Sequence, residues 1–429
     1  MDKYSMCAFP GGRGVRLCAL FFILLAGISP AALFAQLSLQ QAEDRALGQD
    51  PMVRALEAEQ SSLEELSVAA AQLPDPLLRV GVLSVPVDTF DFGQEPMTQV
   101  LAGVVQKFPR GDTRSLEQQQ LREKAVALDF SSLDQRLQIR LDVRLNYLDV
   151  LLQVRQKELT ESVIGVFGNL VDITRNYYAS GLAQQQDVLQ ATVELERIRD
   201  RAAQYGQEER QYRARLGVYL GEAALLPIEN DWPRLPVLMG PESIREQLKD
   251  HPRIRKLQQQ VSVADTGVDL ARQRYRPEFA LDVSYGFRSG EDTSGVSRPD
   301  LFSVMLFVDV PLFHDKRQDR VTAARIATSE SVAFLRDDAY RRLQAEVEGL
   351  YAWLEDVRER TRLYKEVLLP QASFSADASF EAYQSSVGDL VSLLRSRIAE
   401  YELGLEFVRL QADALKTEAR LLYLQGGAS

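Results

Sequence analysis

Covalent chemistry has little to work with in this sequence. Its 429 residues include two histidines and two cysteines. A bound metal or a Cys–His nucleophile needs several such groups converging on one point. His251 stands directly before Pro252, and His314 follows a strand-like run that stops at Pro311; neither has Cys or His company. Ligand counting therefore argues against a metal site. Carboxylates remain, but Glu64-Glu65 and Asp337-Asp338 sit in helical runs and read as solvated faces, not as an acid/base pair. A carboxylate hydrolase would need a compact core with convergent acids, and the long helices described below offer neither. No catalysis, cofactor or metal is expected. Trp232, Tyr351 and Trp353 read as packing residues.

Composition is that of a folded protein, with 45% hydrophobic and 26% charged residues. Acids outnumber bases 61 to 50, which argues against a nucleic-acid partner. Near the N-terminus Lys3, Arg13 and Arg16 precede an apolar run from Leu17 to Ile28, and small residues lead to Ala35. That order predicts a secretory signal peptide over 1–35, cleaved before Gln36. Cys7 and Cys18 both fall inside it, so the exported chain can form no disulfide and has no cysteine near residue 36 to carry a lipid. Its net charge is −13, because three basic residues and Asp2 leave with the leader. No later run of about 18 apolar residues occurs, so any membrane must be crossed as a β-barrel.

The rest of the chain carries one plan twice. Leu39 opens a helical stretch that reaches Asp50-Pro51, and Pro241 opens another that reaches His251-Pro252. A helix follows each and ends at Pro76 or Pro277. Two strand-like runs come next. Phe279, Leu281, Val283, Tyr285 and Phe287 alternate with small or polar residues, the period of a half-buried strand. The predicted strands are 77–85, 97–108, 279–288 and 301–310, and Pro109 and Pro311 mark the strand ends. Long proline-free helices follow from about Asp112 and Asp315. The first has two apolar stripes, Leu137/Leu141/Leu145/Leu148/Leu152 and Ile139/Val143/Tyr147/Val150. Tight polar turns at 178–182 and 383–388 reverse the chain, and Gly181 and Gly388 read as the residues that permit positive φ there. In the last helix, Val391, Leu394, Ile398, Tyr401, Leu405, Val408, Ala412, Leu415, Ala419 and Leu422 keep a heptad seam.

These landmarks divide the chain into a signal peptide 1–35, a first repeat 36–224, a linker 225–241 and a second repeat 242–429. The first repeat holds a hairpin over 77–108 and long helices over 112–222. The second holds a hairpin over 279–313 and long helices over 315–424. The linker, with its four prolines, is expected outside the helical layer. Four strands cannot close a barrel, since the smallest have eight, and open edges cannot face lipid. Strands that span a membrane here must be pooled from several chains.

In this arrangement the sequence resembles the outer membrane efflux protein family, the TolC-like outer-membrane factors. The resemblance covers nearly all of residues 36–429. It rests on the paired openings, the stops Phe108-Pro109 and Val310-Pro311-Leu312-Phe313, and the turns Tyr178…Gly181…Asp187-Val188-Leu189 and Tyr383…Gly388…Leu393-Leu394. It implies a mainly α chain with a β-barrel portion. Three chains would share a twelve-stranded barrel above a long antiparallel coiled-coil tunnel in the periplasm. It also implies a passive exit channel of a tripartite efflux or type I secretion system. Its partners would be outer-membrane lipid, a periplasmic adaptor (membrane fusion protein) and an inner-membrane pump. The alternative reading is a soluble periplasmic coiled-coil adaptor or scaffold.

The resemblance further implies roles for particular residues. Gly181, Leu182, Val387 and Gly388 would form adaptor-docking tips. Asp187, Asp389, Ser392 and Arg395 would lie at the periplasmic constriction. Family members carry acids on the returning helix of the second repeat, where this chain has Ser392 and Arg395. Three copies of Arg395 near an axis would favour anions unless Asp187 or Asp389 pairs with them.

Overall fold

The computed structural model describes residues 36–426; the predicted signal peptide lies outside the described residues. The first helices are set by their caps. Ser38 and Gln41 form a reciprocal capping box that starts α1 (Leu39–Gln49). Asp50 then accepts from the N–H groups of Met52 and Val53, at 2.9 and 3.0 Å, and Pro51 supplies the preset φ that opens α2 (Pro51–Ala70). Strands β1 (Leu77–Leu83) and β2 (Gln99–Phe108) follow. Next come α3 (Thr113–Ala179) and α4 (Gln185–Leu220). The second pass runs through α5 (Pro241–Gln247), α6 (Pro252–Gln273), β3 (Glu278–Phe287), β4 (Leu301–Asp309), α7 (Gln318–Leu363), α8 (Leu369–Gln384) and α9 (Leu390–Leu424). The expected strands are present, with ends shifted by up to two residues.

The 67 residues of α3 reach about 100 Å at 1.5 Å per residue. Packing, not propensity, must hold so long a helix. It touches α2 and α6 along its first part and α4 and α9 along its last part. Of its two stripes, Ile139, Val143, Tyr147 and Val150 are fully buried. In the leucine stripe, Leu148 and Leu152 are buried, while Leu137, Leu141 and Leu145 stay half-open in the single chain. Arg144, itself buried, forks onto both carboxylate oxygens of Glu43 at 2.7 and 3.1 Å, and the Tyr147 hydroxyl donates to the Leu37 carbonyl at 2.9 Å. These bonds fasten the start of the described chain to the middle of α3.

Two features here were not anticipated from sequence. The 225–241 segment packs onto the helices and does not stand free of them. Ile228 is buried in the core formed by Leu37, Val143, Tyr147 and Leu216, with Trp232 and Leu235 packed against it. The Trp232 indole donates to Gln411, and Tyr351 donates to the Met239 carbonyl. Leu226, Ile228, Trp232 and Leu235 leave water by that packing, while Leu225 and Val237 stay exposed. Second, α7 does not run unbroken to the turn. A single π turn, Tyr364–Leu368, separates it from α8. Pro370 has no N–H and its ring would meet the carbonyl four residues earlier; one wide turn relieves both problems.

In α9 the seam is buried at Leu394, Tyr401, Leu405, Ala412, Ala419 and Leu422, while Val391 is exposed. A second line, Leu393, Leu410, Thr417, Leu421 and Leu424, is buried as well, because α9 packs on both α3 and α7. No helix among the described residues is long and apolar enough to cross a membrane.

The four strands form one antiparallel sheet in the order β1-β2-β3-β4, so the two repeats join through β2 and β3. Register puts Leu78, Val80 and Val82, Val100 and Val104, the odd residues Phe279 to Phe287, and Phe302 to Val308 on one face. That apolar face is the exposed one; Leu78 is 71% and Phe302 68% exposed. The opposite, inner face carries Arg79, Gly103, Asp282 and Ser284, and the last two are buried. Arg79 reaches over β2 to Asp282 on β3 at 2.9 Å. Gly103 lies between them, and a Cβ there would come within 2.6 Å of the Ser284 Cβ. The edge strand β4 is apolar on both faces, since Met305 and Phe307 are also exposed.

Candidate functional site

Two helical hairpins end side by side at the far end of α3. Both close through the same bonds. In the first, the Gly181 N–H donates to Tyr178, and the Leu182 and Ala183 N–H groups donate to Tyr177, at 3.0, 2.8 and 3.3 Å. In the second, the Ser386 N–H donates to Tyr383, and the Val387 and Gly388 N–H groups donate to Ala382, at 3.1, 3.0 and 2.9 Å. Every equivalent pair is 205 residues apart. Such closures satisfy the last carbonyls of a helix and need one left-handed residue.

Gly181 is that residue in the first turn, with φ +78°. The second turn corrects the sequence reading. Its left-handed residue is Ser386, with φ +60°, and Gly388 has no positive φ. Gly388 is instead close to its neighbours: a Cβ there would lie 3.0 Å from the Ala382 Cβ. Alignment on glycine missed this, because the signal for Ser386 is its offset from Gly181, not its residue type.

The carboxylates of the tips cap helices. The Asp187 carboxylate accepts from the Gln184 N–H at 2.9 Å, completing a capping box for α4. Asp389 accepts from the Ser392 N–H at 2.9 Å and from its hydroxyl at 2.7 Å. These bonds to the charged form hold the Asp389 carboxyl below the usual carboxylate range. Arg395 is exposed, and neither Asp187 nor Asp389 pairs with it within the chain. Its neighbour Arg397 differs: it bridges Asp377 and Glu400, both at 2.8 Å.

Beneath the turns, Phe167, Leu170, Leu195, Leu390, Leu393 and Leu394 form a shared core. The Tyr177 and Tyr383 rings lie 5.5 Å apart, and the Tyr177 hydroxyl donates to the Gln384 carbonyl at 3.3 Å. That clasp between hairpins was not anticipated from sequence, because Tyr177 and Tyr383 are not equivalent residues: Ala382 stands at the position of Tyr177. At the surface, Leu182 is 67% and Val387 85% exposed, at equivalent positions. Pro109 follows β2 directly and Pro311 stands two residues after β4. Both therefore lie a helix length, about 100 Å, from the tips.

The family described as outer membrane efflux protein matches residues 243–427. The match covers the second repeat, less than half of the chain. Protein CyaE of Bordetella pertussis is 29% identical over 259 residues, which make up 58% of this chain and 53% of that one. The chain thus spans about half the length of the curated relative it matches. In fold it is similar to the crystal structure of CusC, with TM-score 0.77, 14% identity, and 92% and 93% of the two chains covered. It is similar to the outer membrane protein VceC from Vibrio cholerae, with TM-score 0.77, 15% identity, and 91% and 96% covered.

In fold the chain therefore combines a long helical body with a four-stranded antiparallel sheet, as its sequence implied. The matching family and VceC are both described as outer membrane proteins. The family is one of channels, not of enzymes.

Proposed function

We propose that the protein is a passive outer-membrane exit channel, assembled from three copies and joined at its tips to a periplasmic adaptor and an inner-membrane pump. The observation that carries this reading is the sheet. Its apolar face is exposed and its polar face is turned inward, the reverse of a soluble hairpin. Each chain leaves β1 and β4 with an open edge, and lipid tolerates no open edge. Pooling three chains gives twelve strands and removes every edge.

The helical layer supports the same closure. In its upper part the order is α2, α3, α6, α7. The outer members keep exposed apolar residues, Leu66 and Val68 on α2 and Phe334 and Leu335 on α7. A second copy would cover them. The soluble adaptor or scaffold leaves both faces in water. Leu182 and Val387 give an adaptor paired apolar points on a rigid tip. The energy for export comes from the pump, and the channel catalyses nothing.

The test is extraction and conductance. The protein should leave membranes only with detergent, run as a heat-sensitive trimer and conduct in planar bilayers. A buffer-soluble protein without conductance would sink the channel. Arg395→Asp should shift selectivity towards cations if Arg395 lines the closed end, and unchanged selectivity would remove it from the lumen.

A further inference from the structure

At the top of the helical body, just below the sheet, a cavity of about 1160 Å³ opens among α3, α6 and α7. Its side is fixed by Arg110. This residue bonds to Glu278, at 3.5 Å, and to Asp309, which face each other in the β3–β4 register. Both belong to the inner face of the sheet, along with Asp282. The cavity that Arg110 and Glu278 line therefore opens on the inner side.

Its charge is one-sided. Lys124, Arg274, Lys316, Arg317, Arg320 and Arg325 line it, and none has a carboxylate within 4 Å among the described residues. The acids on its wall are Glu117 and Glu278, and Glu278 is taken by Arg110. Asp319 is close in sequence but accepts from Tyr275 at 2.5 Å, and Asp315 is not on the wall. Elsewhere on the helices several arginines, among them Arg175, Arg197, Arg199 and Arg213, find a carboxylate three or four residues away. The departure is sharper because the residues from 36 onward carry a net −13.

Helix ends add to it. Arg317 is the N-cap of α7 and Arg320 stands in its first turn, where the helix dipole already supplies positive potential and disfavours cations. Asp319 is the acid of that turn, and it is engaged by Tyr275.

The geometry points to an anion-binding collar at the base of the barrel, which concentrates carboxylate, phosphate or sulfate groups of the exported solute and makes the open channel anion-selective. This rests on the channel reading above. In a closed assembly the collar would appear three times around the axis, and a low-dielectric wall focuses such a field.

The absence of cysteine from residues 36–429 allows a direct test. In planar bilayers, the full-length protein carrying Arg320→Cys or Arg325→Cys is exposed to an anionic and a cationic methanethiosulfonate reagent. The anionic reagent should react about tenfold faster, because local cations concentrate it. Equal or reversed rates, or modification that leaves the current unchanged, would overturn the collar. In a KCl gradient the wild-type channel should prefer chloride, and the neutral variant Arg317→Gln/Arg320→Gln/Arg325→Gln should lose most of that preference. Conduction without anion preference overturns the collar alone. No conduction from the wild type removes the channel reading, and the collar with it.

Discussion

The two helix–turn–helix tips share one backbone and differ in the residues that build it. The left-handed position is Gly181 in the first and Ser386 in the second. The side-chain cap runs through Gln184 and Asp187 in the first, and through Asp389 and Ser392 in the second. Gly388 stands where the first turn has Ala183, so its glycine answers to local crowding by Ala382 and not to φ. A turn of this type demands one left-handed residue and one acceptor, and it leaves the choice of side chain open. The equivalent pair Asp50-Pro51 and His251-Pro252 teaches the same lesson. Each cap accepts the N–H two residues on, but only His251 is buried and also donates, through Nε2, to the Tyr423 carbonyl at 3.0 Å.

The largest expected effect separates the two caps. His251→Ala should lower stability by about 2–4 kcal/mol, through a buried cavity and two lost bonds. Asp50→Ala should cost about 1 kcal/mol as a simple cap loss. Thermal unfolding of the detergent-solubilised protein reads both, and equal losses would erase the distinction. Next come the turn glycines. Gly181→Val should destabilise the first tip by about 2 kcal/mol, because a branched residue is forced to positive φ. Gly388→Ala should cost less than about 1 kcal/mol, since only a few tenths of an ångström of movement is needed. Amide exchange over 177–187 and 382–392 measures each locally; a costlier Gly388→Ala would restore the reading of Gly388 as the strained residue.

Acid sharpens the cap comparison further. Burial lowers the His251 pKa below its ordinary value. The unfolded chain then binds the proton first, so stability is complete above about pH 6.5 and falls as pH drops from there towards the folded-state pKa. His251→Asp should flatten that decline in a pH series of melting curves. The smallest effect is a gain. Ser386→Gly should slow exchange in the second tip, worth about 0.5–1 kcal/mol, because it relieves the left-handed serine; no change would mean that the serine is unstrained.

Much of this was readable beforehand because it is local. The order of elements, the strand runs and the reversals at 178–182 and 383–388 follow from period, proline and turn residues. The seam through Leu394, Tyr401 and Ala412 was visible for the same reason. The second buried line through Leu393, Leu410 and Leu421 was not, since it depends on which neighbours α9 meets. The packing of Ile228 and Trp232 in the 225–241 segment was not legible, because prolines mark irregular backbone, not its burial. Ser386 was missed because backbone geometry overrode residue preference.

By itself the sequence determined two similar halves, long helices, four strands and a chemistry too poor in His and Cys for a metal centre, since each is a matter of residue type and short spacing. Tertiary structure alone decided which sheet face is exposed, that Arg79 reaches Asp282 over Gly103, and that six cations with no carboxylate partner among the described residues gather beneath the sheet. Those facts join residues up to about 200 positions apart, and only packing brings them within reach of one another.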